Sequence, residues 1–334
     1  MKAFIVKSYS KKEQMQLTKV AEPTVAENEV LIEIHSAGIN LLDSMIKWGE
    51  FKLFLPYKTP LINGHDLAGV ITKIGAKVNK FKIGDEVYSR VGDYRIGTFA
   101  EFISVNENDL ALKPKNMTMD QASSIPLVGL TAWQALIEIA NVKKGQKVFI
   151  QAGSGGVGTF AIQLAKHLGA YVATTTSSKN IDLVKNLGAD LIIDYKTQDF
   201  ESILKDYDVV LHSNRDTKIL KKSFKILKPN GHLISLVGPP TPEFAKSIGL
   251  PLYLRLVTKL LSFGAKKYAK ITNTNFVFLF MRADGNQLGQ ITKLIEEGVI
   301  ISVIDKVFPF EQTNQALAYV ETGRTKGKVI ITVK

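Results

Sequence analysis

The stretch KVFIQAGSGGVG, residues 147–158, carries the clearest fold signal in the chain. Its first five residues form a short apolar run typical of a buried strand, and Gly153, Gly155 and Gly158 follow with the spacing G-x-G-x-x-G. In such a turn the first glycine permits the tight bend, the second lets backbone N–H groups approach a phosphate, and the third lets helix and strand pack closely. A purely structural glycine turn is the alternative, but the strand-to-helix context favours a dinucleotide-binding turn. The predicted binding residues of the turn are Gly153, Gly155, Gly156, Val157 and Gly158.

Strands and helices alternate after this turn. The pattern predicts helices over residues 157–168, 181–187, 200–204 and 217–227, and strands over residues 147–151, 171–175, 191–193, 208–212 and 232–237. Alternation of this kind is typical of βαβ units. We therefore expect an α/β fold with a doubly wound parallel sheet.

The first third of the chain has a different pattern. Short β-branched or alternating runs separated by turn residues predict a β-rich domain, which a helix over residues 122–140 follows. Further strands and helices after residue 276 return the chain to that domain. We expect a β-rich domain over residues 1–122 and 284–334, and a dinucleotide-binding domain over residues 123–283.

Composition bounds the function classes. The chain has 334 residues, of which 45% are hydrophobic and 22% charged, as expected for about two globular domains. Cysteine is absent, which excludes disulfides, thiolate metal sites and cysteine nucleophiles. No run of 18 apolar residues exists and the N-terminus does not read as a signal peptide, so we expect a cytoplasmic protein.

The net charge of +12 is unevenly distributed. Residues 245–273 contain six cations and no acid, and many leucines lie among the cations. One hypothesis is an amphipathic helix on an anionic membrane surface. The sequence favours instead a helix that covers the substrate cleft or a dimer interface, because its apolar residues fall on nearly all sides. No basic run is interleaved with aromatic residues as nucleic-acid readers require.

The residues after the second predicted strand bear on the choice of cofactor. NAD sites usually carry Asp or Glu about 20 residues after the glycine turn, for the ribose 2′-hydroxyl. Here the segment 174–180 reads TTTSSKN. Its hydroxyls, with Ser178 and the cation Lys179, suit a 2′-phosphate, although Asp182 lies slightly further on. NADPH is the predicted cofactor, and the alternative for Lys179 is a solvated surface lysine.

Several motifs, taken together over the whole chain, resemble the medium-chain dehydrogenase/reductase superfamily, in particular its zinc-free quinone and enone reductases. The motifs are AGINLLD (37–43), GHDLAGV (64–70), FKIGDEV (81–87), GTFAE (97–101), PLVGLTA (126–132), AGSGGVG (152–158), LGAD (187–190) and GRTKGKV (323–329). The resemblance implies a GroES-like catalytic domain, a Rossmann domain and a homodimer joined through sheet edges.

One departure from the zinc-dependent relatives concerns the metal. In those relatives a Cys stands at the position of Asn40, a His at the position of His65, and a second Cys follows. Asparagine is a poor zinc ligand and this chain has no cysteine, so no catalytic metal is predicted. A hydrogen-bonded structural role is the favoured interpretation of His65.

The resemblance also implies roles for single residues. Asn40 would lie by the nicotinamide as a positioning residue or oxyanion donor, and Thr131 would approach the same ring. Tyr195 would contact the adenosine phosphate or ribose. The further cofactor positions are Ser213 and Asn214 on the ribose side, Val237 and Gly238 after the next strand, and Phe278 and Leu279, whose backbone meets the carboxamide.

The predicted function is NADPH-dependent, zinc-free hydride transfer to a quinone or to the activated C=C bond of an enone or enal. Such acceptors are already electrophilic, whereas alcohol oxidation needs a group that holds an alkoxide. A non-enzymatic NADPH-binding protein and a peripheral membrane reductase remain alternatives, and a zinc alcohol dehydrogenase is the least favoured.

Overall fold

A computed structural model describes residues 1–334, and its contacts divide the chain into two units. The first comprises Met1–Leu130 with Arg282–Lys334, and the second comprises Thr131–Met281. The sequence placed these divisions after residues 122 and 283. None of the helices is both long and apolar enough to cross a membrane.

The first unit is dominated by strands. Its elements are β1 (Lys2–Val6), β2 (Gln16–Lys19), β3 (Glu29–Ile39), α1 (Leu41–Lys47), β4 (Leu61–Ile62), β5 (Asp66–Ile74), β6 (Glu86–Arg90), β7 (Phe102–Asn106), β8 (Leu110–Leu112), α2 (Met119–Ser123), α10 (Gly285–Glu296), β15 (Ile304–Pro309), α11 (Thr313–Glu321) and β16 (Lys328–Thr332). Helix α2 packs against β3, β5 and β16, and the first unit continues beyond it to Leu130.

A seven-stranded sheet positions the polar residues of this unit. Its order is β15-β16-β3-β5-β6-β8, with β7 also paired to β3, and a smaller sheet has the order β2-β1-β4. Buried apolar residues such as Ile32, Leu67 and Ile331 fill the core. Strand β16 runs antiparallel to the end of β3, with Val329 opposite Ile39. This register brings the start of β16 to the junction of β3 and α1.

The second unit alternates strands and helices. Its elements are α3 (Pro126–Trp133, which begins in the first unit), β9 (Lys147–Ile150), α4 (Gly156–His167), β10 (Tyr171–Thr176), α5 (Ile181–Asn186), β11 (Leu191–Asp194), α6 (Phe200–Ile203), β12 (Tyr207–His212), α7 (Thr217–Lys225), β13 (Leu227–Ser235), α8 (Pro242–Ser247), α9 (Leu252–Ile271) and β14 (Asn275–Phe278).

These six strands form one parallel sheet in the order β11-β10-β9-β12-β13-β14. The strand order reverses at β9, and in open α/β sheets ligands bind outside the carboxyl ends of the strands at such a point. Phe149, Val210 and Leu233 are fully buried between the sheet and its helices. The predicted doubly wound sheet is confirmed, and its carboxyl edge is the expected cofactor side.

Two local predictions differ from the structure. The predicted helix over residues 122–140 is divided into α2, α3 and a π-helical segment, Gln134–Ile139. Pro126 opens α3 because proline lacks an N–H group and suits the first turn of a helix. The predicted strand over 232–237 begins earlier, at Leu227, because β13 continues through the expected turn with a shift in register against β12.

Candidate active site

The glycine-rich turn joins β9 to α4. An added Cβ at Gly153 would lie 2.1 Å from Thr174 Oγ1, and one at Gly158 would lie 2.3 Å from the Ala152 carbonyl oxygen. Neither position has room for a side chain, so packing alone requires both glycines. A Cβ at Gly155 would meet only the Ala152 oxygen, at 3.3 Å. The protein itself does not fill the space beside Gly155, which is what a bound phosphate needs.

The N-terminus of α4 is also suited to binding a phosphate. The helix begins at Gly156, its N-cap is Gly155, and no side chain caps it. The first N–H groups of a helix have no intrahelical acceptor and carry a partial positive charge. With Val157 and Gly158 in the first turn, these N–H groups suit a dinucleotide pyrophosphate.

The segment after β10 is tied to the glycine turn through Ser154. The Ser154 hydroxyl lies 3.0 Å from Thr176 Oγ1 and accepts a hydrogen bond of 3.1 Å from Asn180 Nδ2. Asn180 Oδ1 is buried without a hydrogen-bond partner. Sequence reasoning missed Ser154 and Asn180, and nothing in the spacing singles them out, because only the fold places the two turns side by side.

Lys179 and Ser178 occupy this same segment. Lys179 is exposed and has no carboxylate partner, so its ammonium group is available to an anion. The Ser178 N–H donates to Asp194 Oδ2 at 3.1 Å, so Asp194 uses one carboxylate oxygen to hold this loop. Tyr195 follows Asp194, is 62% exposed, and donates its N–H to the Thr176 carbonyl at 3.2 Å.

The other predicted cofactor residues follow β12, β13 and β14 at the same edge of the sheet. The Ser213 N–H donates to Gln151 Oε1 at 3.2 Å, and Asn214 Oδ1 accepts from the N–H of Asp216 at 2.8 Å. Gly238 has no space for a Cβ, which would lie 2.5 Å from Ser235 Oγ.

The last strand of this sheet carries two more of the predicted residues. The Leu279 N–H donates to the Ser235 carbonyl at 2.9 Å, which extends the pairing of β14 beyond Phe278. The Phe278 ring packs edge-on against Phe244, at 5.2 Å between centroids. Val237 is half-buried, and Thr131 is buried in α3. The structure thus gathers the second unit's predicted residues, Thr131 apart, on the carboxyl edge of the sheet.

A buried polar cluster surrounds Asn40 in the first unit. The Asn40 Nδ2 group donates to Asp66 Oδ2 at 3.0 Å, and Asn40 Oδ1 accepts from Lys328 Nζ. Lys328 Nζ also lies 3.0 Å from Asp66 Oδ2, and Asp66 Oδ1 accepts from the N–H of Leu127 at 2.8 Å. Because Lys328 can only donate and Asp66 accepts, the two together fix which way the Asn40 amide points.

His65 forms a second buried contact nearby. Its Nδ1 lies 2.6 Å from Asp43 Oδ1, and both side chains are fully buried. Asp43 Oδ2 accepts from the Asn40 N–H at 2.7 Å, which joins this pair to the Asn40 cluster. The acceptor Asp43 places a proton on His65 Nδ1, and His65 Nε2 is buried with no hydrogen-bond partner. The predicted hydrogen-bonded role of His65 agrees with this geometry.

The donor atoms do not fit a catalytic zinc. The structure contains no group of three or more His, Cys, Asp or Glu side chains arranged to hold a metal ion. Asn40, where zinc-dependent relatives place a cysteine, uses its amide on Asp66 and Lys328 instead. The side chains around Asn40 therefore offer zinc no coordination site of the kind that its catalytic role requires.

Comparison with known proteins decides the family. Residues 26–115 match the alcohol dehydrogenase GroES-like domain, and residues 187–331 match the zinc-binding dehydrogenase domain. A 2-methylene-furan-3-one reductase from Solanum lycopersicum is 34% identical over 99% of this chain and 79% of its own length. The human mitochondrial NAD(P)H oxidoreductase RTN4IP1 is 32% identical over 100% of this chain and 89% of its own.

The chain belongs to the medium-chain dehydrogenase/reductase superfamily.

Two further comparisons agree with this assignment. The chloroplastic NADPH-dependent alkenal/one oxidoreductase of Arabidopsis thaliana is 32% identical over 99% of this chain and 79% of its own. The quinone oxidoreductase of Coxiella burnetii superposes with a TM-score of 0.87 at 28% identity, covering 100% of this chain and 99% of that one. The predicted superfamily, fold class, oxidoreductase activity and NADPH dependence are confirmed by these relatives.

Proposed function

We propose that this medium-chain dehydrogenase/reductase reduces a quinone or the activated C=C bond of an enone or enal with NADPH, without a metal ion. The observation that carries the proposal is the Asn40 cluster. The position that a metal ligand occupies in zinc-dependent relatives holds here an amide oriented by Asp66 and Lys328. The relatives are named as alkenal/one, furanone and quinone reductases.

The residues of this chain would bind and orient NADPH. NADPH, when bound, supplies the hydride. The glycine turn would hold its pyrophosphate on the N–H groups of α4, and Lys179 with Ser178 would hold its 2′-phosphate. The adenosine, ribose and nicotinamide portions would lie along the carboxyl edge of the sheet, beside Tyr195, Ser213, Asn214, Val237, Gly238, Phe278 and Leu279.

Asn40 and Thr131 would orient the reacting groups. One N–H of the Asn40 amide is used by Asp66, whereas the other reaches only the Gly38 carbonyl, at 3.4 Å. That weakly held N–H is the one available to a substrate carbonyl oxygen, where negative charge develops during hydride addition. Thr131 is proposed to contact the nicotinamide ring.

A homodimer joined through β14 is proposed as well. Strand β14 pairs only with β13 and ends the six-stranded sheet, so its outer N–H and C=O groups are open to another strand. Light scattering on the purified protein tests this. A cytoplasmic location stays a prediction from composition, since relatives are named as mitochondrial and chloroplastic.

The test of the reaction is NADPH consumption by the chelator-treated protein with a small enone and a small quinone, with NADH as control. Turnover with at least one acceptor, faster with NADPH than with NADH, is the expected result. Activity that appears only after zinc is added would overturn the metal-free reaction. NADPH binding without turnover on either acceptor would favour a binding protein instead.

A further inference from the structure

Helix α9 packs on its own unit mainly through small side chains. Its buried face consists of Leu254, Thr258, Ser262, Ala265 and Ala269. Ser262 Oγ donates to the Thr258 carbonyl at 2.7 Å, and Thr258 Oγ1 donates to the Arg255 carbonyl at 2.9 Å, so both hydroxyls are satisfied within the helix. Surface helices ordinarily bury their large apolar residues and expose small or polar ones. Helix α9 does the opposite.

The outward face of α9 carries the large apolar residues. The exposed fractions are 71% for Leu252, 65% for Tyr253, 55% for Leu256, 79% for Leu260 and 65% for Phe263. At about 100° per residue, Leu252, Leu256, Leu260 and Phe263 fall within an arc of about 80°. This stripe lies opposite the buried face, and it continues through Tyr253, Val257, Leu261 and Ile271, which are also exposed, over about half of the helix circumference. Together with buried Leu254, the apolar residues therefore occupy most sides of α9, as the sequence pattern predicted.

Cations flank this stripe and extend beyond it. On the helical wheel Arg255, Lys259 and Lys266 lie along one side of the stripe, whereas Lys267 and Lys270 lie on the stripe itself, in the last turns of the helix. Lys266 pairs with Glu243 at 2.6 Å, whereas Lys259, Lys267 and Lys270 have no carboxylate partner. No acidic residue occurs anywhere from residue 245 to residue 273.

Charge decides what this face can bind. A second copy of the chain docked on it by two-fold symmetry would present the same residues 245–273, which contain no carboxylate to pair with the cations. In an anionic bilayer the leucines and the phenylalanine would contact acyl chains. The long lysine side chains would then reach the phosphate or carboxylate groups of the headgroups. The observations therefore favour a lipid surface.

We infer that the outward face of α9 docks this protein on an anionic membrane surface. The helix, about 30 Å long, would lie in the plane of the interface with Leu256, Leu260 and Phe263 at the level of the upper acyl chains. The inference is independent of the proposed reaction, because no residue of α9 belongs to the glycine turn or to the Asn40 cluster. It does not require a membrane-spanning segment.

Flotation of the full-length protein with extruded vesicles tests the inference. At low salt we expect binding to phosphatidylcholine vesicles that contain phosphatidylserine, and little to phosphatidylcholine alone. The variant Lys259→Gln/Lys267→Gln/Lys270→Gln should bind roughly ten- to a hundredfold more weakly. The variant Leu256→Ser/Leu260→Ser/Phe263→Ser, which keeps every charge, should also lose binding.

Matched controls distinguish binding through the outward face of α9 from non-specific effects of charge and of exposed apolar residues. Lys19→Gln/Lys52→Gln/Lys205→Gln removes three exposed cations elsewhere, and Ile83→Ser removes an exposed apolar residue of the first unit. Both controls should bind the anionic vesicles like the wild type. Thermal unfolding shows whether each variant remains folded, and reduction of an enone by NADPH without vesicles shows whether it remains active. These two measurements distinguish a failure of docking from a failure of the proposed reaction.

Insertion is measured directly with Leu260→Trp. Its fluorescence should shift to the blue and be quenched by brominated acyl chains on anionic vesicles, beyond the change that the native tryptophans give. The inference is overturned if the wild type does not float with anionic vesicles, or if the lysine variant floats equally well. It is also overturned if sedimentation shows self-association that the serine variant abolishes while the vesicles remain unbound, because a second copy would then be the occupant.

Discussion

Replacing Lys328 by methionine removes the ammonium group from the buried cluster and keeps much of the side chain's volume. Lys328 Nζ lies 3.0 Å from Asp66 Oδ2, and the two side chains are 5% and 0% exposed. Two unit charges at that separation attract by about 5 kcal/mol at an effective dielectric constant of about 20. Removing one member of a buried ion pair costs about 3–5 kcal/mol, because the other charge is left without a counter-ion.

The expected result is a large loss of stability. A destabilisation of about 3–5 kcal/mol lowers the Tm of a domain of this size by roughly 6–20 °C. Lys334→Met is the matched control, because Lys334 lies 2.8 Å from Glu33 in an exposed pair that is worth at most about 1 kcal/mol. Asp66→Asn/Lys328→Met removes both charges and should recover at least half of the loss.

The assay is chemical and thermal unfolding of the four proteins, with enone reduction by the folded protein as the functional readout. Loss of Lys328 also frees the Asn40 amide to rotate, so kcat should fall while NADPH affinity stays unchanged. The reasoning is refuted if Lys328→Met is within about 1 kcal/mol of Lys334→Met, since a buried pair and an exposed pair would then contribute equally.

Three further predictions concern the second unit. Burial lowers the pKa of His212 to about 4, below the unfolded value near 6.5. The unfolded chain therefore binds more protons between these pH values, and about 3 kcal/mol of stability is lost as the pH falls from 6.5 to 4. The variant His212→Gln should show a flatter dependence of Tm on pH in this range, and a dependence unchanged from the wild type would contradict this. Gly155→Ala should fold and bind NADPH at least tenfold more weakly, whereas Gly158→Ala should lose about 1–3 kcal/mol of stability by overpacking. Calorimetric titration measures the binding and denaturant unfolding the stability; equal stabilities of the two variants would contradict the difference in free space at the two glycines. Lys179→Gln should raise the Kd for NADPH roughly tenfold and leave that for NADH unchanged, with Lys205→Gln as control; equal loss for both cofactors would remove Lys179 from the 2′-phosphate site.

The glycine turn and the carboxyl edge of the parallel sheet could be predicted from the sequence because their signals are local. A strand, a glycine turn and a helix follow each other within residues 147–167, and Gly153 and Gly158 are explained by contacts inside that segment or with Thr174 on the next strand. The carboxyl ends of parallel strands share one edge by geometry, so residues after β12 and β13 could be assigned to it in advance.

The Asn40 cluster could not be predicted in this way. Asn40 was singled out through the family resemblance, but its partners Asp66 and Lys328 lie 26 and 288 positions away. The motif GRTKGKV (323–329), which contains Lys328, gives no indication of which buried carboxylate the lysine contacts. Only the antiparallel pairing of β16 with β3 decides it.

The sequence by itself determined the parallel sheet, the glycine turn between β9 and α4, and the absence of thiolate zinc ligands, because local spacing and composition are sufficient for each. The tertiary structure alone decided which way the Asn40 amide points and which face of α9 is exposed. Periodicity tells which residues share a side of a helix, but not which side the rest of the protein covers. In α9 the small residues Ala265 and Ala269 pack inward, whereas Leu252, Leu256 and Leu260 remain outside.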